Sequence, residues 1–192
     1  MSTQVQFRRG STSENNSFTG VEGEISIDTT IKTIRVHDGS TAGGFELAKT
    51  AGTTTNDSAA AGKIGEVISS TIAVGSAVAL TSNTGANITS VSLTSGDWEV
   101  FGVIKFTGGA TTTVTWIQGC VHTTSATFSD NDSSVAIHFG GATIVANINQ
   151  SFPLAPIRVS IASTTTHYLV AKSTFGTSTL SAYGAIHARR IR

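Results

Sequence analysis

The sequence predicts an all-β protein, with a small N-terminal unit followed by an antiparallel β-sandwich. Three features lead to this prediction: short runs in which apolar and polar residues alternate, 20 glycines between and within those runs, and no long stretch with helical periodicity. Only 2 prolines are present, and serine and threonine fill much of the rest. This composition is typical of many short strands joined by tight turns.

Composition also limits the classes of function. Lys+Arg 12 balance Asp+Glu 12, so we expect no overall field that attracts nucleic acid or anionic membrane, and neither is a predicted partner. Cys120 is the sole cysteine, which excludes an intrachain disulfide. The first ten residues do not resemble a signal peptide, and no apolar run approaches the roughly 20 residues of a membrane span. We therefore expect synthesis in a cytoplasm.

The N-terminal unit is predicted to contain two strands, residues 24–28 and 33–37, joined by a turn and followed by Asp38-Gly39, a pair that accepts positive φ. Their alternation predicts that Ile25 and Ile27, like Ile34 and Val36, face a common core. Residues 49–62 have no apolar pattern and are predicted to be a linker. The predicted division is thus 1–48, 49–62 and 63–192.

The segment after the linker is predicted to form a sandwich with jelly-roll topology. The clearest alternation runs from Trp98 to Phe106, whose other face carries Phe101 and Val103 and so predicts cover on both sides or an oligomer contact. The last run alternates inward from Leu180 to Ala188. The candidate strands are 67–74, 88–93, 98–106, 112–121, 157–161, 168–175 and 180–192.

The N-terminal unit is too small to stabilise itself. Below about 40 to 50 residues, a domain usually needs disulfides, metal or partners, and this unit has no cysteine and no evident metal site. We predict that it is stable only as an oligomer. Its apolar side chains are Phe7, Phe18, Ile25, Ile27, Ile31, Ile34, Val36, Phe45 and Leu47.

Several motifs in the first 48 residues resemble one known family, and the run VHDGSTAGGF at residues 36–45 is the most specific of them. They are Val5-Gln-Phe-Arg8, Gly10, Phe18-Thr-Gly20, Glu24-Ile25, Asp28-Thr29, Thr33, Val36-His-Asp-Gly39, Thr41-Ala-Gly-Gly-Phe45 and Leu47-Ala48. Together they resemble the N-terminal domain of the phage major tropism determinant, a family of tailed-phage receptor-binding proteins.

The resemblance implies a trimeric, β-prism-like unit at the virion-proximal end. Nothing after Gly62 resembles the larger, lectin-like receptor-binding end of that family, so receptor recognition is not carried over. The remainder resembles, in architecture only, the trimeric jelly-roll ends of small phage fibre proteins and C1q-like modules. The residues implied in virion docking or trimer contacts are Phe7, Arg8, Phe18, His37, Asp38, Gly39, Gly43, Gly44 and Phe45.

No catalytic motif is found, and we expect no enzyme, no cofactor and no metal. Two carboxylate pairs, Glu22 with Glu24 and Asp97 with Glu99, have the residue type that glycan hydrolysis uses, but solvent-facing charge is the preferred interpretation. A turn or trimer-packing role is preferred over an oriented base for His37. The remaining histidines, His122, His138, His167 and His187, lack metal-ligand spacing, although histidines can meet across a three-fold axis.

The other polar and aromatic residues are predicted to have structural rather than functional roles. Residues 129–134 are predicted to be an exposed turn rather than a calcium loop, and Cys120 a buried apolar residue. The arginines at positions 189, 190 and 192 are predicted to be solvated, although they could bind an acidic neighbour or a polyanionic glycan. The larger aromatic residues are predicted to pack in the core rather than stack on sugars: Trp98, Trp116, Tyr168 and Tyr183.

The favoured hypothesis is a structural virion protein of a tailed phage, a short homotrimeric tail or head fibre or a capsid decoration, displaying the sandwich for host-surface attachment. Its expected partners are copies of itself, a phage capsid or tail protein and a host-surface glycan. The short chain favours an accessory fibre over the principal receptor binder. The alternatives are a free carbohydrate-binding or adhesion module and, third, a depolymerase with buried acids in a groove.

Overall fold

The chain consists of two compact units, residues 1–56 and 57–192. The structure is a computed structural model that describes residues 6–47, 58–143 and 150–192. Most of the predicted linker, residues 49–57, lies outside the described residues. Nearly all regular structure in the described ranges is β, which confirms the predicted fold class.

The first unit is built on one four-stranded sheet. It contains β1 (Arg8–Gly10), a short helix α1 (Thr12–Ser17), β2 (Ile25–Asp28), β3 (Thr33–Val36) and β4 (Phe45–Glu46). The strand order is β1-β2-β3-β4, with β1 parallel to β2 and the other pairs antiparallel. The predicted strands are confirmed to within a residue or two, whereas α1 was not predicted.

The first unit buries its polar face and exposes its apolar face. Ile25 pairs with Val36 and Ile27 with Ile34, so all four side chains share one face of the sheet. None of the residues that the structure describes covers that face, and Ile34 is 41% exposed. The expectation of an apolar core inside this unit is therefore wrong. Helix α1 and the loop after β3 cover the opposite face, which carries Ser26, Asp28, Thr33, Arg35 and His37.

The second unit contains nine strands and a short 3-10 helix in its described ranges. They are β5 (Val67–Ile72), the 3-10 helix Val74–Ser76, β6 (Val78–Ala79), β7 (Ala86–Leu93), β8 (Gly96–Gly108), β9 (Thr113–His122), β10 (Val135–Thr143), β11 (Gln150–Ile161), β12 (Thr165–Gly176) and β13 (Leu180–Arg190). Neither of the short helices in the described part of the chain is long or apolar enough to cross a bilayer.

These strands form a jelly roll. One sheet has the order β10-β9-β12-β7, and the other has the order β11-β8-β13-β5 with β6 also pairing β13. All pairs are antiparallel, and strands early in this unit pair with strands late in it: β5 with β13, β7 with β12, β8 with β11 and β9 with β10. This nested pairing defines the jelly-roll topology, which confirms the predicted sandwich.

Besides the two-residue strand β6, which was not predicted, two strands of the second unit depart from the sequence prediction, and both lie at sheet edges. β10 was not predicted, because its alternation is interrupted at Gly140, where φ is +63° and the register with β9 is irregular. β11 begins at Gln150 rather than at residue 157. Pro153 and Pro156 argue against a central strand, but an edge strand with a bulge accommodates them, and β11 has such a bulge between Leu154 and Ile157.

The core lies between the two sheets. Alternate residues of β8 from Trp98 to Phe106 and of β13 from Leu180 to Ala188 face it and are buried, as predicted. Trp98 is fully buried, and its indole N–H donates to the Thr94 carbonyl at 2.9 Å. Each fully buried large apolar side chain contributes about 1.5–3 kcal/mol relative to an exposed one, so this unit has a core of its own.

The connection between β9 and β10 folds back over the outer face of its own sheet. The Ser129 N–H donates to the Cys120 sulfur at 3.5 Å, and this cover buries Cys120, as predicted. Burial raises the pKa of the Cys120 thiol, which keeps it protonated and unreactive. The buried Ser133 hydroxyl accepts from the Val121 N–H at 3.1 Å and donates to Asn131 Oδ1 at 2.8 Å.

Candidate docking surface of the N-terminal unit

Helix α1 is short and is fixed at its N-terminus by a capping box. The Glu14 carboxylate accepts from the Ser11 N–H at 2.7 Å, and the Ser11 hydroxyl accepts from the Glu14 N–H at 3.3 Å. These bonds to Ser11 lower the pKa of Glu14. The buried Asn15 amide donates to the carbonyls of Gly10 and Ser11 at 3.0 and 2.9 Å, which joins the helix to β1.

A buried ion pair lies between the helix and the sheet. The Arg35 guanidinium donates to Asp28 Oδ2 at 2.9 Å, to Asn16 Oδ1 at 2.9 Å and to the Gly43 carbonyl at 3.0 Å. Burial opposes ionisation of Asp28, but the Ile31 N–H, the Thr12 hydroxyl and Arg35 together hold its pKa below the usual range. Arg35 thus connects β2, α1 and the loop before β4.

His37 lies inside this polar layer. Its Nδ1 accepts from the Gly20 N–H at 3.2 Å, so the ring proton resides on Nε2, which lies 2.9 Å from the Ser26 hydroxyl. The Phe18 ring packs edge-on against the imidazole at 5.0 Å, and the Arg8 guanidinium lies 4.1 Å above the same Phe18 ring. Arg8, Phe18 and His37 therefore form a column from the surface to the interior.

The loop of residues 38–44 closes over His37 and is shaped by Asp38 and three glycines. Asp38 accepts from the Thr41 N–H at 2.7 Å, the Ser40 N–H at 3.0 Å and both hydroxyls, bonds that lower its pKa strongly. Gly44 has φ +57°, and a Cβ there would lie 2.8 Å from His37 Nδ1. Glycine is required at this position because both the backbone conformation and the space exclude a side chain.

The predicted site residues separate into two groups. Seven of them form the column and the loop just described: Arg8, Phe18, His37, Asp38, Gly39, Gly43 and Gly44. Phe45 instead pairs with Val36 and shares the exposed apolar face of the sheet, where it is 58% exposed. Phe7 is also exposed, but no contact in the described residues joins it to the column.

Sequence reasoning missed the Asp28–Arg35 pair and the partners Asn15, Asn16 and Ser26. A signal was present: Ser26 and Arg35 occupy paired positions of the predicted hairpin, and polar residues alternate along both strands as regularly as apolar ones. The apolar residues alone do not show which face is buried.

Beside α1 lies an open depression of about 220 Å³ lined by Arg8, Arg9, Gly10, Glu14, Asn15 and Phe18.

The carboxylate pairs do not have the arrangement of catalytic acids. Asp97 contacts Arg158 at 2.9 Å and Arg192 at 2.6 Å, and Glu99 contacts Arg189 at 2.8 Å. The Ser160 hydroxyl and then Arg158 lower the pKa of Asp97, whereas a general acid needs a raised one. Bonding to Arg8 likewise lowers the pKa of Glu24.

Three other groups of polar residues differ in their surroundings. Among the described residues, no three His, Cys, Asp or Glu side chains are grouped closely enough to hold a metal. In the turn of residues 129–134, Asp130 accepts from the Ser134 hydroxyl at 2.7 Å. The interpretation of Arg190 as solvated is wrong, because its side chain is buried against Glu66, at 2.9 Å, and over the Trp98 ring, at 4.2 Å.

The aromatic residues of the second unit divide between core and surface. Trp98 and Tyr183 are buried, as predicted, and Tyr168 is half-buried. Trp116 is 40% exposed and contacts the exposed His138 at 4.5 Å between ring centroids. The prediction that Trp116 packs in the core is therefore wrong, because β9 has one extra residue opposite β12 between Val114 and Trp116, which shifts the alternation and places Trp116 on the outer face of its sheet.

Comparison with known proteins finds relatives for the N-terminal segment. Residues 5–41 match the family described as "Major tropism determinant N-terminal domain". A "Tail fiber receptor-binding protein" of Bordetella phage BPP-1 is 57% identical over 49 residues. That match covers 26% of this chain and 13% of the relative, so the chain corresponds to a small part of that protein's length.

Two kinds of solved structure are similar. The "Major Tropism Determinant P3c Variant" is 32% identical over 50% of this chain and 29% of its own, with a TM-score of 0.23. The "Structure of infectious bursal disease virus Gx strain" is 11% identical over 76% of this chain and 38% of its own, with a TM-score of 0.39. Both scores are low, and neither likeness supports a conclusion about function. The resemblance inferred from the N-terminal motifs is confirmed for residues 5–41, which belong to the family of the major tropism determinant N-terminal domain.

Proposed function

We propose that this protein is a structural component of a tailed-phage virion, a short homotrimeric tail or head fibre or decoration protein. It attaches to the particle through its first unit and displays the jelly roll toward the host surface. The observation that carries the proposal is the match of residues 5–41 to a domain found in a phage receptor-binding protein.

The exposed apolar face of the first unit supports the trimer. One side of a small sheet is left exposed by the described part of the chain, and it carries Ile25, Ile34, Val36 and Phe45. An apolar sheet face normally packs against another element, and in this unit a second and third copy can supply it. Three such faces around one axis would form the β-prism that the family resemblance implies.

The opposite side of the sheet is then left for the particle. Arg8, Phe18 and the loop of residues 38–44 lie on the side that carries α1, away from the apolar face. Docking there leaves the trimer contacts intact. Three jelly rolls per fibre and many fibres per particle would raise avidity for a host surface, even where each site is weak.

Labelling tests the proposal on intact particles. An antibody against the second unit should mark the virion at the tail or at the capsid, and the position distinguishes tail fibre from head fibre. Particles from a phage that carries Ile34→Asp should lose the label, because the trimer does not form. Purified particles free of the label in the parent phage would contradict the proposal.

A free adhesion module is the second candidate, and the exposed Trp116 is the observation that favours it. That function requires glycan binding by protein that is not associated with particles. Fractionation of an infected-cell lysate on a density gradient distinguishes the two candidate functions. A virion component sediments with infectious particles, whereas a free module stays at the top of the gradient.

A further inference from the structure

The outer face of the sheet that contains β9 is divided into a covered half and an open half. In the covered half, the connection between β9 and β10 lies over Cys120, and Val170 beside it is buried. The open half consists of two rows of paired residues across β10, β9 and β12. The first row is His138, Trp116 and Thr174, and the second is Ala136, Gln118 and Lys172.

This open half has the groups that bind a sugar. The exposed rings of Trp116 and His138, tilted by 59° with their centroids 4.5 Å apart, offer apolar faces to a sugar, and the amide of Gln118 and the hydroxyl of Thr174 lie one position away. With strands about 4.8 Å apart and a two-residue step of about 6.7 Å, the six residues cover roughly 10 by 7 Å. That area fits one or two pyranose rings rather than a protein interface.

The charge of the patch indicates the kind of sugar. None of its six residues is acidic, and Lys172 forms no ion pair with any residue in the described ranges. The arginines at the far end of the other sheet, by contrast, are paired with Asp97, Glu99 and Glu66. A cation left unpaired beside an aromatic platform complements a carboxylate or phosphate on the ligand.

We infer that Trp116, His138, Gln118 and Lys172 form a binding site for an acidic glycan, a pyranose that carries a carboxylate or phosphate group. The aromatic pair stacks on the ring, Gln118 bonds its hydroxyls and Lys172 pairs with its charge. The inference deepens the proposed function and rests on it, because it names the surface with which the displayed jelly roll contacts the host.

A glycan array with the full-length protein tests the site. The probes are uronate-, sialate- and phosphate-bearing oligosaccharides printed beside their neutral counterparts. We expect the acidic probes to be retained roughly tenfold better than the neutral ones, and Trp116→Ala to lower that retention about tenfold or more. Lys172→Gln should remove the preference for acidic probes. The inference would be overturned if the protein retained no acidic probe, or if Trp116→Ala retained the acidic probes as well as the wild-type protein does.

The second sheet provides a matched control. Phe101 is 36% exposed on its outer face and stacks on His187 at 5.4 Å, so it is also an exposed aromatic ring beside an imidazole. It lies between Glu99 and Val103 rather than near an unpaired cation. Phe101→Ala should leave glycan retention unchanged. A loss equal to that of Trp116→Ala would show that any exposed aromatic ring contributes, and would contradict the assignment.

Tryptophan fluorescence distinguishes a glycan from a second copy as the occupant. Trp98 is fully buried and Trp116 is exposed, so acrylamide reaches only Trp116, and a retained acidic probe should protect it. If Trp116 is already inaccessible in the purified protein, or if Trp116→Ala dissociates the oligomer, this face is a subunit contact and the inference fails. The labelling of particles is independent of Trp116, so it still reports separately on the proposed function.

Discussion

Arg190 shows how an arginine at the end of a strand can be part of the interior. Its guanidinium donates to Glu66 at 2.9 Å, to the Ser95 carbonyl at 2.8 Å and to the Thr94 hydroxyl at 2.6 Å. Burial opposes ionisation of Glu66, but the Gly62 N–H and Arg190 hold its pKa below the usual range. Arg190 thereby joins β13 to the segment before β5.

Removing Arg190 should leave a buried carboxylate without its cation. We predict that Arg190→Ala lowers the free energy of unfolding of the second unit by about 3 kcal/mol or more. Both tryptophans lie in this unit, so tryptophan fluorescence in a denaturant titration reports on it directly. Arg189→Ala is the control: its exposed pair with Glu99 should contribute less than about 1 kcal/mol. Equal effects would refute the interior role.

The burial of His167 leads us to predict that the second unit loses stability in mild acid. His167 is buried on β12, its Nδ1 has no hydrogen-bond partner among the described residues, and burial lowers its pKa below the ordinary 6.5, against a smaller opposing bond from Thr165. The unfolded chain therefore takes up the proton first as pH falls. The stabilisation from the neutral ring is complete above 6.5 and is lost as pH decreases from there toward the folded-state pKa.

Denaturant midpoints should therefore fall between about pH 7.5 and about pH 5.5, where the buried carboxylates do not titrate. His167→Leu should flatten this dependence, whereas His138→Gln, which changes an exposed histidine, should not. The prediction fails if the wild-type protein and His167→Leu show the same slope.

At the scale of elements, the connection between β9 and β10 is a cover that includes one buried serine. Ser133 is fully buried and satisfies the Val121 N–H, while the hydroxyl of its neighbour Ser134 donates to Asp130 in the solvent-exposed turn. An unsatisfied buried N–H costs about 1–3 kcal/mol. We expect Ser133→Ala to open the cover and Ser134→Ala to leave it closed.

Cys120 reports on this opening because it is the sole cysteine of the chain. Its reaction with a thiol reagent under native conditions should be roughly 5- to 150-fold faster in Ser133→Ala than in the wild-type protein, as expected for a loss of about 1–3 kcal/mol. The Ser134→Ala protein should react at the wild-type rate. Equal rates in all three proteins would show that Ser133 does not hold the cover.

At the scale of the whole molecule, the exposed apolar face of the first sheet is the surface on which the proposed trimer depends. We predict that Ile34→Asp converts a sedimenting trimer into a monomer, because it places a charge in the middle of that face. Val21→Asp is the control, since Val21 is 71% exposed and lies outside the sheet. A trimer that survives Ile34→Asp, or a wild-type protein that is monomeric, would contradict the proposed assembly.

The sequence was sufficient for the fold class, for β2 and β3, for most strands of the second unit and for the inward faces of β8 and β13, because alternation with a period of two is a local property. It was also sufficient for the family of residues 5–41, since that depends on matched motifs. Edge strands were less predictable: Gly140 interrupts the alternation of β10, and the first half of β11 contains prolines, which a central strand would exclude and an edge tolerates.

Only the tertiary structure decided which face of a strand is buried. The hairpin of β2 and β3 alternates polar and apolar residues equally well, and the position of α1 makes the polar face the inner one. In the same way, Arg190 is interior because Glu66 and Trp98 meet it from elsewhere in the chain, and Trp116 is exterior because of register irregularities beside it. Periodicity shows that the two faces of a strand differ in polarity. Which of the two faces is buried depends on the distant segments that pack against it.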